Sequence, residues 1–309
     1  MFDNEIVCLG NSITAVTGAS YDPYDTNTTL NQCNLIGDVV VSENGINTVT
    51  LATADEHPYS TAPKWVLHDN IGYVFPNGGN VVVSNKTQHG NWHDINNNGT
   101  DAGVSRDVFS MWFNHGKKVN NGSYSYIIVP NKNAAEMKNY FESGNVEILE
   151  NNTSLQAVHH KTLGMLGIIF YSSSVSFTGG GISVEVNRPC VLLLKKKNGH
   201  IEMHIADPAQ SQTQINVKIK NSSSTDWVTT SCNFAGTGDY KGASKAYYVP
   251  VSGTGIKVTE VEDPVIDVQY YDLLGKETLK PSVEGIYILK KMHQSKKVTA
   301  SKEFISVKR

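Results

Sequence analysis

The stretch Asn187-Arg-Pro-Cys-Val-Leu-Leu-Leu-Lys-Lys-Lys-Asn-Gly-His-Ile-Glu-Met-His-Ile-Ala-Asp-Pro-Ala-Gln210 reads as a β-hairpin. Val191 to Leu194 is a short apolar run, the pattern of a strand buried on both faces. Asn198-Gly199 supplies the two left-handed residues that a type I′ turn requires. Ile201, Met203 and Ile205 then alternate with Glu202 and His204, which gives this strand one buried and one wet face. Asp207-Pro208 ends it, because proline has no N–H to offer a ladder.

Outward from this hairpin the same pattern repeats. Upstream, strands are predicted at Glu5–Leu9, Asn27–Leu35, Gly45–Leu51, Lys64–Asp69, Ile71–Phe75, Asn80–Ser84, Phe109–Asn114 and Tyr124–Val129, punctuated by turn signals such as Asp69-Asn70. One helix is predicted, Asn133 to Phe141: Asn133 caps it, Glu136 lies three residues on, and Ser143-Gly144 ends it. It should bridge two β units. The second unit adds strands near Val146–Glu150, Gln156–His160, Leu166–Tyr171, Ser174–Phe177, Ile182–Val186, Gln214–Ile219 and Tyr247–Val251. Many short strands with regular turns define an all-β chain of antiparallel sandwiches. Ser252-Gly-Thr-Gly255 opens a linker, after which residues 256–309 hold 10 of the 26 basic residues and form a third, small unit. The units are therefore 1–145, 146–255 and 256–309.

Composition agrees. Charged residues make up 18% of the 309, low beside the Gly, Asn, Ser and Thr content of a strand-and-turn protein. A net charge of -3 supplies no basic field for nucleic acid, so a polyanionic ligand would need a local basic patch. No apolar run is long enough to span a bilayer. Cys8, Cys33, Cys190 and Cys232 include no C-x-x-C pair, which argues against zinc. Buried free thiols are the reading for Cys8 and Cys190; a Cys8–Cys33 disulfide stays open. Met1-Phe-Asp-Asn has neither the basic nor the apolar region of a signal peptide. The chain opens almost inside a strand, which points to further protein upstream in its parent.

The Pro-Cys-led apolar strand, the turn, and the return strand closing on Ala206-Asp-Pro-Ala-Gln210 resemble the C-terminal β-domain of the family 8 polysaccharide lyases. Leu155-Gln-Ala-Val-His159 and Gly167-Ile-Ile-Phe-Tyr171 fit the same domain. So do Glu5-Ile-Val-Cys-Leu-Gly10, Thr28-Thr-Leu-Asn-Gln32, Gly90-Asn-Trp-His-Asp-Ile-Asn96, Asn114-His-Gly116 and Tyr124-Ser-Tyr-Ile-Ile-Val-Pro130 upstream. Together they cover about Met1 to Pro250 in order. The resemblance implies the latter part of a galactose mutarotase-like supersandwich, then the smaller C-terminal sandwich. It also implies β-elimination at a uronic acid of chondroitin sulfate or hyaluronan. In that family the neutralising Asn, the proton-handling Tyr and His and the anion-gripping Arg residues stand on an N-terminal α/α-toroid. No helical repeat of that kind exists here, so no catalytic residue is assigned, and the toroid becomes an expected partner. Val268-Gln-Tyr-Tyr-Asp-Leu-Leu-Gly-Lys-Glu277, Gly285-Ile-Tyr-Ile-Leu-Lys290 and Phe304-Ile-Ser-Val-Lys-Arg309 are similar to the immunoglobulin-like sorting tail of type 9 secretion. That implies an extracellular or periplasmic location.

Within the chain, polar and aromatic residues concentrate at Gly90–Asp101. Trp92 and His93 are candidate carbohydrate contacts, since an aromatic face matches the apolar face of a pyranose; the competing reading makes Trp92 a packing residue, the usual role of a lone aromatic. Asp94, Asn96, Asn98 and Gly99 follow the start of a calcium loop. Position twelve is Ser105, however, so the bidentate carboxylate is missing. No other cofactor is indicated. His159-His160 face opposite ways on a strand, and His200 and His204 are separated along one, so neither pair reads as a zinc site. Besides the lyase reading, two function classes stay open. A non-enzymatic carbohydrate-binding module needs an exposed aromatic platform, and a structural protein pairing through sheet edges needs none.

Overall fold

A computed structural model describes residues 1–18, 20–52, 55–197, 200–234 and 243–250, together with strands at 259–260, 265–271, 277–278, 285–293 and 298–305. The first unit comprises β1 (Ile6–Ile13), β2 (Asn27–Asn34), β3 (Val40–Ser42), β4 (Val49–Thr50), β5 (Glu56–Tyr59), β6 (Trp65–His68), β7 (Ile71–Val74), β8 (Val81–Gly90), β9 (Val104–Asn114) and β10 (Gly122–Pro130). Among the described residues they form a six-stranded sheet, β1-β10-β7-β6-β3-β4, and a four-stranded sheet, β2-β9-β8-β5. Every pairing is antiparallel. The facing sides bury Val39, Val41, Val66, Tyr73, Val81, Val83, Phe109, Met111 and Phe113. Their neighbours along the strands point to the opposite sheet faces, where several, Trp65, Leu67, Val74 and Val82 among them, are buried as well.

The other face of the six-stranded sheet carries α1 (Ala134–Ser143). Asn133 and Glu136 form the predicted capping box, and Gly144 takes the left-handed conformation that ends the helix. Met137, fully buried, packs with Trp65, Leu67, Val74, Ile127 and Val129. Its sulfur fits only because β7 has a glycine beneath it: a Cβ on Gly72 would lie 2.1 Å from Met137 Sδ.

The second unit comprises β11 (Val146–Asn151), β12 (Leu155–His160), β13 (Met165–Phe170), β14 (Val175–Gly179), β15 (Ile182–Val186), β16 (Cys190–Lys197), β17 (His200–Ala206), β18 (Gln214–Asn221), β19 (Val228–Asn233), β20 (Lys245–Pro250) and β21 (Thr259–Glu260). The sheet β11-β12-β13-β16-β17-β20-β21 packs on β14-β15-β18-β19. Leu166, Ile168, Leu192, Leu194, Ile201, Met203, Ile205, Ile215 and Val217 fill the space between them. The opening hairpin is β16–β17, in register from Val191↔Ala206 to Lys197↔His200. Its Asn198-Gly199 turn lies outside the described residues. After β17 the buried Asp207 accepts from the N–H groups of Ala209, Ser211 and Gln212, so it anchors the loop as well as ending the strand.

The run Val191–Leu194 departs from its reading. Cys190, Leu192 and Leu194 are in the core, whereas Val191 and Leu193 are only half-buried on the other face. The segment Gly45–Leu51 is likewise not one strand; pairing falls to β3 and β4 around a turn in which Asn44 Oδ1 accepts from Ile46 and Asn47. The Cys8–Cys33 disulfide does not form: all four cysteines are free thiols.

The two sandwiches meet along β1 and β11–β12. Asn151 donates to the carbonyls of Gly10 and Tyr124 and accepts from Asn11 and Gln156. Nearby the buried Glu5 and His160 approach to 3.3 Å, with Phe2 edge-on to the imidazole. His160 Nδ1 accepts from Leu163 N–H at 3.3 Å, which assigns the Nε2 proton to the bond with Glu5. Beyond residue 261, β22 (Val265–Tyr271), β23 (Glu277–Thr278), β24 (Gly285–His293) and β25 (Val298–Ile305) form an antiparallel sheet ordered β23-β22-β24-β25. The Asp272–Lys276 part of the tail motif and its closing residues 306–309 lie outside the described residues.

Candidate functional site

The β8–β9 hairpin is longer than the sequence reading gives it, and its extra length builds the site. Its base is core, with Val81, Val83, Phe109 and Met111 fully buried. β5 pairs with β8 only up to Ser84, and β2 pairs with β9 only from Val108 onward. Past that point the two strands continue together to Gly90↔Val104 as a two-stranded ribbon. One face of this ribbon is occupied by cross-strand hydrogen bonds, Thr87 to Asp107 at 2.6 Å and His89 to Ser105 at 2.7 Å. Period two puts Val104, Arg106 and Val108, with Gln88 and Gly90, on the other face.

The connecting residues 91–103 fold back over that second face. Asn91 and Asp94 hydrogen-bond reciprocally, side chain to side chain at 2.9 Å and Asp94 N–H to Asn91 Oδ1 at 2.9 Å. Trp92 O accepts from Ile95 and Asn96, and Asn96 Oδ1 accepts from Asn98 N–H. Gly99 then lies against Trp92 so closely that a Cβ there would meet the Trp92 carbonyl carbon and oxygen at 2.5 Å. Trp92 and Ile95 stay 60% and 79% exposed. With Gln88, Gly90, Val104, Arg106 and Val108 they line an open groove of about 260 Å³.

The candidate residues separate here. Trp92 lines the groove, but His93 does not: its Nδ1 faces Asp101 at 4.0 Å in solvent. Asp94, Asn96 and Asn98 are exposed; the Asp94 carboxylate accepts from the Asn91 side chain and Asn96 Oδ1 from Asn98 N–H, both in local turns. Among the described residues no three His, Cys, Asp or Glu side chains converge as a metal site. Ile95, Arg106 and Gly90 also line the groove and stand outside the candidate contacts of the sequence reading, although Gly90 and Ile95 lie in the stretch it singled out. The signal for Arg106 was its period-two spacing from Val104 and Val108, legible only once β9 is known to start at Val104.

Elsewhere titratable groups are tuned by burial. His68 stacks on Phe109 with centroids 4.2 Å apart, and its Nε2 accepts from Ile36 N–H. Burial lowers its pKa, and nearby Asp69 opposes this only in part. Burial also raises the Cys33 thiol, 3.9 Å from His68, so this pair is no thiolate–imidazolium nucleophile. His115, which shares a hydrogen bond with Thr28, is lowered by burial as well.

The chain is thus two antiparallel sandwiches with an open groove, lined by Trp92, at the tip of the β8–β9 ribbon. Residues 1–141 match the super-sandwich domain of polysaccharide lyase family 8, and residues 147–216 match that family's C-terminal β-sandwich domain. These two regions of the chain belong to polysaccharide lyase family 8. Over 222 residues, 71% of this chain and 30% of the relative, the sequence is 37% identical to chondroitinase-AC of Pedobacter heparinus. It is 30% identical to xanthan lyase of Bacillus sp. strain GL1 over 221 residues, 68% of this chain and 23% of the relative. A chondroitinase AC lyase structure from enzyme–oligosaccharide complexes matches 80% of this chain and 35% of its own, with a TM-score of 0.71 and 34% identity. The chain thus spans about a quarter to a third of the length of these relatives. No helix among the described residues is long and apolar enough to cross a membrane.

Proposed function

We propose that this chain is the β-domain portion of a secreted polysaccharide lyase that cleaves glycosaminoglycans by β-elimination. Its two sandwiches wall and support the glycan cleft, and the eliminating residues belong to a helical domain outside it. The observation that carries this reading is the tandem match of both sandwiches, in order, to two domains of one lyase family. On this reading Trp92 contacts sugar, calcium is not required, and the chain alone does not turn substrate over. Within residues 256–309, β21 joins the second sandwich and the strands from Val265 onward form a small antiparallel sheet; this segment serves as the export tail.

The test is a turnover assay. Purified chain is mixed with chondroitin sulfate and with hyaluronan, and the ultraviolet absorbance of the unsaturated uronate is followed. The expected result is no product from the chain alone and product once the helical domain is supplied. Product from the chain alone would overturn the assignment of chemistry to that domain. A second reading, a carbohydrate-binding module without lyase function, is favoured by the 60% exposure of Trp92. It predicts glycan retention with no gain of turnover when a helical domain is added.

A further inference from the structure

The ribbon sorts charge between its faces. Asp107 lies on the face away from the groove, bonded to Thr87. Lys86 shares the groove face but is paired with Glu56. Arg106 is exposed on the groove face; its one recorded hydrogen bond goes to the Ser105 carbonyl at 2.8 Å, and it forms no ion pair among the described residues. Its guanidinium therefore keeps donors free in the groove that Trp92 also lines. Asp94 and Asp101, the nearest loop carboxylates, do not line the groove.

We propose that the Trp92–Arg106 groove is an anion-reading subsite for one acidic residue of a polysaccharide. The apolar face of the pyranose lies on Trp92 and Ile95, and its carboxylate or sulfate ester pairs with Arg106. An aromatic ring supplies area without sequence of hydroxyls, and a planar guanidinium matches an oxyanion fork. At about 260 Å³ and open to solvent, the groove falls short of an enclosed small-molecule pocket of about 300–1,000 Å³. It suits one ring of a chain that continues on both sides. Gly90 forms part of its floor, and a Cβ there would meet nothing within 4 Å. This proposal rests on the polysaccharide reading above and adds to it the place on this chain where the acidic group is read and the residue that reads it.

The test is native electrophoresis of the full chain through gels containing one polymer each. Hyaluronan offers carboxylate alone, chondroitin sulfate both anions, carboxyl-reduced chondroitin sulfate the sulfate alone, and carboxyl-reduced hyaluronan neither. The expected result is retardation by one or more of the anionic polymers and not by the neutral one; which ones retard identifies the anion. Arg106→Gln should weaken retardation about tenfold, the scale of one charge-assisted hydrogen bond. Trp92→Ala and Gly90→Val, which remove the platform and fill the floor, should abolish it. Lys218→Gln, which removes a positive charge on the second sandwich, should change nothing. Thermal melting of each variant confirms that it is folded. Retention of the Arg106→Gln chain at wild-type strength would overturn the proposal. Equal retention by the neutral polymer would overturn the anion reading while leaving a Trp92-dependent glycan groove intact. Retention by no polymer would overturn the subsite outright, and the lyase reading would still be decided by the turnover assay.

Discussion

The side-chain amide of Asn151, on the second sandwich, donates to the main-chain carbonyl of Tyr124, on the first, at 3.1 Å. Its second hydrogen goes to Gly10 O, also at 3.1 Å, and its oxygen accepts from Gln156 at 2.8 Å and more weakly from Asn11 at 3.4 Å. Both donors and both lone pairs of one amide are thereby used. Asn151→Ala leaves the half-buried Gly10 and Tyr124 carbonyls without this partner, and each lost hydrogen bond costs about 0.5–1.5 kcal/mol. The expected result is a loss of about 1–3 kcal/mol in denaturant unfolding. Asn151→Asp should be no better, because it restores the acceptor and not the donors. A wild-type midpoint for both variants would show that the seam is held by something else.

Acid should weaken the fold through His68. Burial lowers its folded pKa below the value it has when unfolded, so the unfolded chain binds the proton more readily. Stability is therefore full above the ordinary histidine range. It is lost as pH falls through about 6.5 towards the lower folded value, with the linkage slope positive in that window. His115 adds to the same trend. Melting temperature measured from pH 7.5 to pH 5 should fall, and His68→Gln should flatten the fall while lowering stability at neutral pH through loss of the Phe109 stack. An unchanged slope in the variant would remove His68 as the cause.

The Cys190 thiol is pushed up to about 12, chiefly by burial, with the neighbouring Cys232 and Asp207 contributing. At pH 8 almost none of it is thiolate, which is the form that reacts. Alkylation of the native chain with iodoacetamide should spare Cys190, and denaturant should expose it. Peptide mapping before and after unfolding checks this; native labelling of Cys190 would contradict the burial.

Gly72→Val places a branched side chain where Met137 Sδ sits. Overpacking of this kind costs about 1–3 kcal/mol. Since Met137 is the one buried residue recorded on α1, the helix should lift from the sheet. Loss of hydrogen-exchange protection in residues 134–143, ahead of the rest of the first sandwich, is the expected signature.

Gly99→Ala acts on the site and not on the core. Its Cβ would collide with Trp92 main-chain atoms, so the turn must open and carry the indole with it. Melting temperature should move little, as the loop is exposed, while glycan retention falls as far as in Trp92→Ala. The same glycine occupies the sixth position of the calcium-like spacing, but close approach to Trp92 is reason enough for it. Calcium should accordingly shift the melting temperature negligibly, and a rise of several degrees that chelator reverses would restore the metal reading.

Strand-level structure was largely legible because alternation is imposed by burial of one face. Ile201, Met203 and Ile205 face the core as their spacing indicates, and Asp69 and Asn70 both take the positive φ that a tight hairpin turn needs. What escaped were strands whose apolar content is low. β5 is Glu-His-Pro-Tyr and β19 is Val-Thr-Thr-Ser-Cys-Asn, each lying at a sheet edge where one flank needs no partner. The outer half of β8 and β9 escaped for the same reason: Lys86 to Gly90 and Val104 to Asp107 pair with each other without a core beneath them. The candidate site was half legible, since Trp92 announces itself by type. Arg106 and Ile95 join it only through a register and a turn that no periodicity encodes.

A ribbon rooted in a buried base and free beyond it has a consequence for how such proteins diversify. Residues past Lys86 can be exchanged without disturbing Val81, Val83, Phe109 or Met111, so selection can retune what the tip touches while the sandwich stays the same. Relatives acting on differently charged polymers would then be expected to differ most at this finger, and transplanting residues 87–106 between them should move ligand preference while leaving stability behind.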